Sequence, residues 1–175
     1  MFEIQPMNPE HYRQQTRRST LALAAIFLAL GMLCATASTQ LLGTPGGDNF
    51  KWNLLGVLLG LALTIALVRQ QLWQRPFMAA AVYGWQLKRS LMRVTNVMHH
   101  VKAGVAAGDE SAMKLLRFYH LGVTQMHQLD GNSSDLGQMV WEIDAHREAM
   151  AQRGLDIEQK RLDPAWLEAV KGFKP

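Results

Sequence analysis

Cysteine is nearly absent from this sequence, and acidic residues are absent from a long part of it. The one cysteine, Cys34, cannot form a disulfide within the chain or a thiolate metal cluster, which excludes disulfide-rich and zinc-finger classes. No acidic residue occurs between Asn49 and Gly108, although basic residues are spread through that stretch. The formal net charge of +4 is therefore uneven, with a basic middle and a mildly acidic end.

Catalytic and cofactor motifs are also missing. The sequence has no HExxH, CxxC, GxSxG or glycine-rich phosphate loop. His99 and His100 are adjacent and point in different directions on a helix, and His120 and His127 lie two helical turns apart, too far to share one ion. We therefore expect no catalytic residues, no metal site and no cofactor, and we predict that the protein is not an enzyme.

Two apolar runs dominate the first half of the chain. Ser19–Leu42 and Trp52–Val68 are separated by a glycine- and proline-rich turn, with only Asp48 and Lys51 as charges between them. A helix needs about 20 apolar residues to cross a bilayer, and the runs have about that length. The sequence predicts a membrane-spanning helical hairpin within residues 19–75. A signal peptide is the alternative, but the second apolar run argues against it.

Small residues recur at intervals of four in both runs, which lets helix backbones approach closely in a membrane. The predicted transmembrane packing interface consists of Ala25, Ala29, Gly31, Ala35, Gly56, Gly60 and Thr64. It can join the two spans of one chain or link two chains. Trp52, Arg69 and Trp73 are the predicted membrane-interface anchors, because aromatic rings and long basic side chains favour the headgroup region.

Basic residues flank the outer ends of the hairpin. Arg13, Arg17 and Arg18 precede the first run, and Arg69 and Arg75 follow the second. The positive-inside rule then places both termini in the cytoplasm. We expect a cytoplasmic N-terminal segment at residues 1–18 and a cytoplasmic helical domain at residues 76–175.

A basic juxtamembrane helix is predicted over residues 76–107. Its apolar seam has heptad-like spacing and consists of Leu87, Leu91, Val94, Met98, Val101 and Val105, while its basic face consists of Lys88, Arg89, Arg93 and Lys102. The seam can be the core of a bundle, a coiled-coil contact between chains, or a face that lies on the membrane with anionic lipid headgroups as partners. Nucleic acid is not an expected partner, since no recognised binding module is present.

The remaining chain is also expected to be helical. Asp109 can cap a helix from Glu110 to Leu129, and Asn132 or Ser133 can cap another from about Ser134 to Gln152, with Gly154 after its end. Asp163 and Pro164 can open a short helix that reaches Lys171. The fold class is therefore all-α: a membrane-spanning two-helix hairpin followed by a small cytoplasmic helical bundle.

Several runs of residues resemble a family of small bacterial inner-membrane proteins known only as a domain of unknown function. They are Met1–Pro6, Asp48–Asn53, Ala81–Arg89, Arg93–Met98, Arg117–His120 and Leu129–Asn132. The resemblance spans nearly the whole chain. It implies a bacterial protein with two membrane spans, and it implies no activity or catalytic residue.

The expected function is that of an inner-membrane interaction protein: a homo-oligomer, an accessory subunit or an assembly factor. Its partners would be the lipid bilayer and either itself or another membrane protein. One alternative is a homo-oligomeric channel lined by the second span, although that span offers no charged selectivity ring. A second alternative is a small enzyme that uses His99, His100 or His120 in a membrane-proximal cleft.

Overall fold

The computed structural model describes residues 1–132, 137 and 139–174. Helices make up 76% of the described residues, which form no strand, and this confirms the all-α class. The α-helices in the described part are α1 Pro9–Leu42, α2 Phe50–Leu67, α3 Ala79–Thr95, α4 Met98–Ala106, α5 Glu110–Asp130, α6 Val140–Gln152 and α7 Pro164–Ala169. The chain divides into two compact units, which are Met1–Arg13 with Tyr83–Pro175, and Gln14–Val82. We call them the helical unit and the hairpin unit.

A tight turn joins α1 to α2 in the hairpin unit. The side-chain amide of Asn49 donates to the carbonyl oxygen of Thr44 at 3.1 Å, and its oxygen accepts from the backbone N–H of Thr44 at 3.0 Å. Gly46 has a φ of 74°, a conformation that glycine adopts without steric cost. After Leu67, α2 continues as a π-helical turn at Val68–Leu72. The turn lies where its glycine and proline content predicts it.

The predicted single helix over residues 76–107 is wrong, because the chain breaks it twice. Pro76–Met78 is a separate 3₁₀ turn, and α3 ends at Thr95 before α4 starts at Met98. The hydroxyl of Thr95 donates to the carbonyl oxygen of Leu91 at 3.1 Å, a local bond that competes with the helix. Asn96 and the β-branched Val97 also have low helix propensity, so the apolar spacing of three and four continues across a kink.

The seam residues form much of the core of the helical unit. Leu87, Leu91, Val94 and Val101 are buried, whereas Met98 and Val105 are partly exposed. A Cβ atom placed on Gly122 of α5 would lie 2.7 Å from the Leu91 side chain, so α3 packs closely against α5. Of the three interpretations of the seam, the structure agrees with the core of a bundle within one chain.

The N-terminal segment packs into the helical unit. The backbone N–H of Ile4 donates to the carbonyl oxygen of Lys160 at 2.8 Å, and that of Leu162 donates to Phe2 at 3.0 Å. The Phe2 ring also contacts the ring of Phe118 edge-on, with centroids 6.5 Å apart. Residues 1–13 therefore belong with the helical unit, whereas the sequence suggested a separate segment over residues 1–18.

The predicted helix caps are largely confirmed. The Asp109 carboxylate accepts from the N–H of Ala112, and Asp163 accepts from Ala165, each at 2.8 Å. Gly154 follows α6 with a φ of 69°, as a C-terminal cap requires. Asn132 instead closes α5, since its N–H donates to the carbonyl oxygen of His127 at 3.0 Å.

The start of α6 differs from the prediction. The structure begins this helix at Val140, with Met139 as its N-cap, rather than near Ser134. Ser133 and Ser134 lie outside the described residues. The short helix α7 ends at Ala169 and continues as a 3₁₀ turn at Val170–Gly172, which covers the predicted end at Lys171.

Candidate functional sites

The glycines of α2 contact the small residues of α1 within the hairpin unit. A Cβ atom on Gly56 would lie 2.3 Å from the Cα of Ala35, and one on Gly60 would lie 2.6 Å from the Cα of Gly31. The hydroxyl of the buried Thr64 donates to the carbonyl oxygen of Gly60 at 2.8 Å, so it is satisfied inside the contact. Here the helix backbones meet directly, and any larger side chain would separate them.

Only part of the predicted packing interface belongs to this contact. Gly31, Gly56, Gly60 and Thr64 are buried and Ala35 is partly buried, whereas Ala25 and Ala29 are exposed. Ala25 and Ala29 therefore take no part in the contact between α1 and α2, because spacing identifies a row of small residues but not the side of the helix that a neighbour covers. The small-residue row of α2 packs against α1 of the same chain. This agrees with the interpretation that the row joins the two apolar helices of one chain.

The outer surface of the hairpin unit is aliphatic. Exposed leucine, isoleucine, valine, methionine and phenylalanine side chains surround α1 and α2; they include Leu28, Met32, Leu33, Leu54, Leu58, Leu63 and Ile65. The most apolar windows of the two helices are 6% and 17% buried. By length and composition, both helices are long and apolar enough to cross a membrane, and little of either window is buried inside the chain.

The predicted interface anchors lie at the two ends of α2. Trp52 is in its first turn, where the ammonium of Lys51 lies 5.1 Å from the centroid of the Trp52 ring. Arg69 is exposed in the π-helical turn at the other end, and Trp73 follows it, partly exposed. The anchors therefore bracket the aliphatic surface along the helix axis, as an interfacial role requires.

The predicted basic face is divided by its surroundings. Lys88 pairs with Asp130, with 3.0 Å between the ammonium and the carboxylate oxygen. Lys102 lines a different cavity, together with His120 and His146. Arg89 and Arg93 remain together, one helical turn apart on α3, and both line one cleft. The charge pattern thus located a basic region, but only two of its four residues share a concave site.

This cleft, which we call the arginine cleft, has a volume of about 240 Å³. The Arg89 guanidinium lies 4.9 Å from the centroid of the Trp85 ring, a cation–π contact that orients it. Among the residues that the structure describes, no carboxylate lines the cleft; its residues are Met1, Phe2, Trp85, Gln86, Arg89, Ser90 and Arg93. The concentration of donors without acceptor charge suits an anion.

A second cavity, the histidine pocket, contains two buried histidines. His120 of α5 and His146 of α6 are 4% and 7% exposed, and their rings meet edge-on with centroids 5.3 Å apart. His146 uses Nε2 to bond with the carbonyl oxygen of Met113 at 2.9 Å. The pocket has a volume of about 280 Å³ and is lined by Met98, Lys102, Leu116, Tyr119, His120, Met139, Glu142 and His146.

Both imidazoles of the histidine pocket are neutral at pH 7. Burial lowers the pKa of His120 to about 4, with smaller contributions from His146 and from the nearby cation of Arg117. Burial also lowers the pKa of His146, although its bond to Met113 partly opposes the shift. The Nδ1 atom of His120 is buried and has no hydrogen-bond partner within the described residues. Buried polar groups are normally hydrogen-bonded, so this orphaned nitrogen is an exception in the core.

The other histidines considered from the sequence are placed differently. The rings of His99 and His100 lie 4.0 Å apart, and Nδ1 of His100 bonds with the carbonyl oxygen of Phe173 at 2.5 Å. His127 bonds with the carbonyl oxygen of Asn132 at 3.1 Å. Among the residues that the structure describes, no group of three or more histidine, cysteine, aspartate or glutamate side chains could hold a metal ion.

Sequence reasoning missed three features of these sites. His146 was not linked to His120, because the two residues lie on separate helices and only tertiary packing joins them. Trp85 was not assigned to a site, although its position four residues before Arg89 is the spacing at which helical side chains meet. That spacing was the available signal. The contribution of Phe2 depends on the docking of the N-terminal segment, which no local pattern indicated.

These features define the class: an all-helical protein with an apolar two-helix hairpin and a helical unit that carries the arginine cleft and the histidine pocket. The chain belongs to DUF3087, a family described as proteins of unknown function, whose family model matches residues 2–167. The match covers nearly the whole chain and confirms the resemblance to a domain of unknown function. Comparisons with curated proteins and with solved structures found no match.

Proposed function

We propose that this protein is anchored in a membrane by the hairpin unit and acts there as an interaction protein. The observation that carries the proposal is the contrast between the two sides of the hairpin. The faces of α1 and α2 that meet are built from small residues, and the outward faces carry long aliphatic side chains. Lipid is the solvent that such an outward surface favours, since apolar side chains gain nothing from water.

The proposed orientation has both termini in the cytoplasm of a bacterium, with the hairpin in the inner membrane. Its support is the distribution of basic residues, which are concentrated at Arg17 and Arg18 before the first run and at Arg69 and Arg75 after the second. Between the two apolar runs, Lys51 is the single basic residue. The bacterial setting rests on the resemblance of the sequence.

The proposed role is to bind protein at the membrane, as a homo-oligomer, an accessory subunit or an assembly factor, without a catalytic site of its own. The helical unit supports this role because large apolar side chains remain exposed on it. Trp85 and Met92 of α3 are 47% and 63% exposed and lie seven residues apart, on one face of the helix. Trp141 of α6 is 78% exposed. Such side chains favour contact with a partner or with lipid.

Site-directed labelling tests the anchoring and the orientation. In a Cys34→Ser background, single cysteines at Thr44→Cys and Gln71→Cys report the two ends of the hairpin to a membrane-impermeant maleimide. We expect Thr44→Cys to be labelled in intact spheroplasts and Gln71→Cys to be labelled only after lysis. Equal labelling of both cysteines before lysis would contradict the hairpin, and extraction of the protein by alkaline carbonate would contradict the anchoring.

A homo-oligomeric channel lined by α2 is a weaker candidate. The small-residue row of α2 already packs against α1 of the same chain, and the other faces of α2 are aliphatic. Residues 54–67 carry no charge that could form a selectivity ring, and the Thr64 hydroxyl is already bonded to the carbonyl oxygen of Gly60. Conductance of the purified chain in planar bilayers would favour the channel.

A small enzyme that uses the histidine pocket is the other candidate. The observation in its favour is the orphaned nitrogen of His120 beside a second neutral imidazole, since functional sites often hold such perturbed groups. His99 and His100 do not line this pocket, and neither do Asp109 and Asp130. A stoichiometric metal in the purified protein, lost on His120→Gln substitution, would favour this function over simple protein binding.

A further inference from the structure

The arginine cleft brings two guanidinium groups into one concave site of the helical unit. Arg89 and Arg93 lie four residues apart on α3, so both side chains leave the helix on the same side. The contact of Arg89 with the Trp85 ring restricts its guanidinium before any ligand arrives, and this lowers the entropy cost of binding. A surface arginine without such a contact would lose more freedom.

Two uncharged donors complete the cleft. Ser90 lies between the arginines along the chain and is 6% exposed, and Gln86 lies one turn before it. A hydroxyl and an amide can donate to the oxygens that guanidinium groups leave free. Two planar forks with neutral donors match a phosphate group, whose oxygens accept bidentate hydrogen bonds from arginine.

General positive charge does not account for this arrangement. Lys88 precedes Arg89 directly, yet it pairs with Asp130 outside the cleft. Lys102 carries the same charge and lines the histidine pocket, where Glu142 is also present. The cleft holds two of the four basic residues and, among the described residues, no carboxylate. This arrangement distinguishes a binding site from a solvated basic helix face.

We propose that the arginine cleft binds a phosphate group, and that its natural source is the headgroup of an anionic phospholipid. Phosphate binding follows from the cleft alone. The choice of a lipid rests on the proposed membrane anchoring and on the exposed Trp85 and Met92, which share the face of α3 that carries Arg89. An aromatic ring beside arginine is the combination that favours the headgroup region of a membrane. A soluble phosphate ester is the other source of the same group.

The test uses the full chain in an uncharged detergent with two probes, phosphatidylglycerol and glycerol phosphate. Native mass spectrometry counts retained phosphatidylglycerol, and tryptophan fluorescence follows the titration with glycerol phosphate. The variant is Arg89→Gln with Arg93→Gln. Its matched control is Lys88→Gln with Lys102→Gln, which removes the same charge outside the cleft. A third variant, Arg89→Lys with Arg93→Lys, keeps the charge and removes the bidentate forks.

We expect phosphatidylglycerol binding to weaken at least about tenfold in the double glutamine variant at the arginines, and much less in the lysine control. The affinity of the variant Arg89→Lys with Arg93→Lys should lie between the affinities of these two variants. If the unchanged chain binds glycerol phosphate as tightly as phosphatidylglycerol, the cleft is still a phosphate site. Its natural ligand is then a soluble phosphate ester and not a lipid. Equal losses in the two glutamine variants, or no binding of either probe by the unchanged chain, would overturn the proposal.

Two controls separate this proposal from the anchoring proposal. Circular dichroism shows whether each variant keeps its helix content, which we expect because both arginines are exposed. Insertion into nanodiscs of phosphatidylcholine alone depends on the hairpin and not on the cleft. A variant that inserts normally but no longer retains phosphatidylglycerol supports the cleft, whereas failure of every variant to insert would contradict only the anchoring.

Discussion

Gly60 and Gly31 bring α2 and α1 into direct backbone contact, since a Cβ atom on Gly60 would lie 2.6 Å from the Cα of Gly31. The neighbouring atoms are backbone and cannot move aside without separating the helices. We therefore expect Gly60→Leu to lower the free energy of unfolding of the chain in mild detergent by about 1–3 kcal/mol.

Ala62→Leu is the matched control, because it adds a leucine of the same size on the exposed side of α2. Thermal unfolding followed by circular dichroism measures both variants. Equal midpoints for Gly60→Leu and the unchanged chain would show that the close contact does not contribute to stability. A loss of oligomer mass without any loss of stability would instead assign Gly60 to a contact between chains.

The histidine pocket predicts an acid sensitivity of the helical unit. His120 has a folded pKa of about 4, below its ordinary value of 6.5, so the unfolded chain binds the proton more readily between these values. Stability from the neutral His120 is complete above pH 6.5 and is lost as the pH falls toward 4. The loss should be on the order of 2–3 kcal/mol. Arg117, Lys102, Glu142 and His146 surround the group, and His146 adds a shift in the same direction.

Urea unfolding of the full chain at a series of pH values measures this dependence. We expect His120→Gln to flatten the loss between pH 6.5 and 4, and His127→Gln, on the same helix, to leave it unchanged. Both variants keep the same carboxylates, which also change the free energy of unfolding with pH. Subtracting one pH profile from the other therefore removes this contribution. Parallel curves for the two variants would count against a neutral, buried His120.

The N-cap of α5 is a second local determinant of stability. The Asp109 carboxylate accepts from the N–H of Ala112, which would otherwise lack a partner at the helix start. Asp109→Ala should therefore cost about 1 kcal/mol. Asp144→Ala is the control, since this exposed aspartate of α6 forms a long ion pair with Arg147 and does not cap the start of the helix. Chemical denaturation compares the two, and equal free energies of unfolding would disprove the role of the cap.

Tyr83 holds the N-terminal segment against α5. Its hydroxyl donates to the side-chain oxygen of Gln125 at 2.5 Å and accepts from the backbone N–H of Gln5 at 3.1 Å. Burial raises the pKa of Tyr83, so the phenol stays protonated as a donor. We expect Tyr83→Phe to cost about 1–2 kcal/mol, because two partners lose their bond.

Limited proteolysis reports whether the segment detaches in Tyr83→Phe, and thermal unfolding gives the energy. Tyr119→Phe is the matched control, since Tyr119 lies partly exposed on α5 at the edge of the histidine pocket. Faster cleavage near Gln5 in Tyr83→Phe alone would support the network. Identical cleavage of both variants would assign the docking of the segment to Ile4 and Phe2 instead.

Local patterns were sufficient for several helix ends, although α1 begins at Pro9, ten residues before the predicted run that starts at Ser19. Asp109, Asp163 and Gly154 act as caps through groups within a few residues of them, so the sequence contains the whole interaction. The apolar runs predict α1 and α2 because helix periodicity and length are also local. The break at Asn96 and Val97 was missed because the apolar spacing continues across it, although the residues themselves have weak helix propensity.

The candidate sites depended more on tertiary packing. The small-residue rows on α1 and α2 were visible, but only the packed hairpin selects Gly31 and Ala35 and leaves Ala25 and Ala29 exposed. Likewise, the basic face was visible, while the split between Lys88 and the arginine cleft depends on Asp130 and Phe2, which are distant in sequence.

The sequence by itself determined that the chain is all-helical, that two apolar helices are joined by a turn, and that basic residues follow them. These properties depend on composition, spacing and short-range hydrogen bonds. Only the tertiary structure decided that His120 meets His146, that Phe2 joins the arginine cleft, and that the row at Gly56 and Gly60 packs inside its own chain. The physical reason is that each of these contacts joins separate elements, and no local preference specifies which faces of two helices will meet.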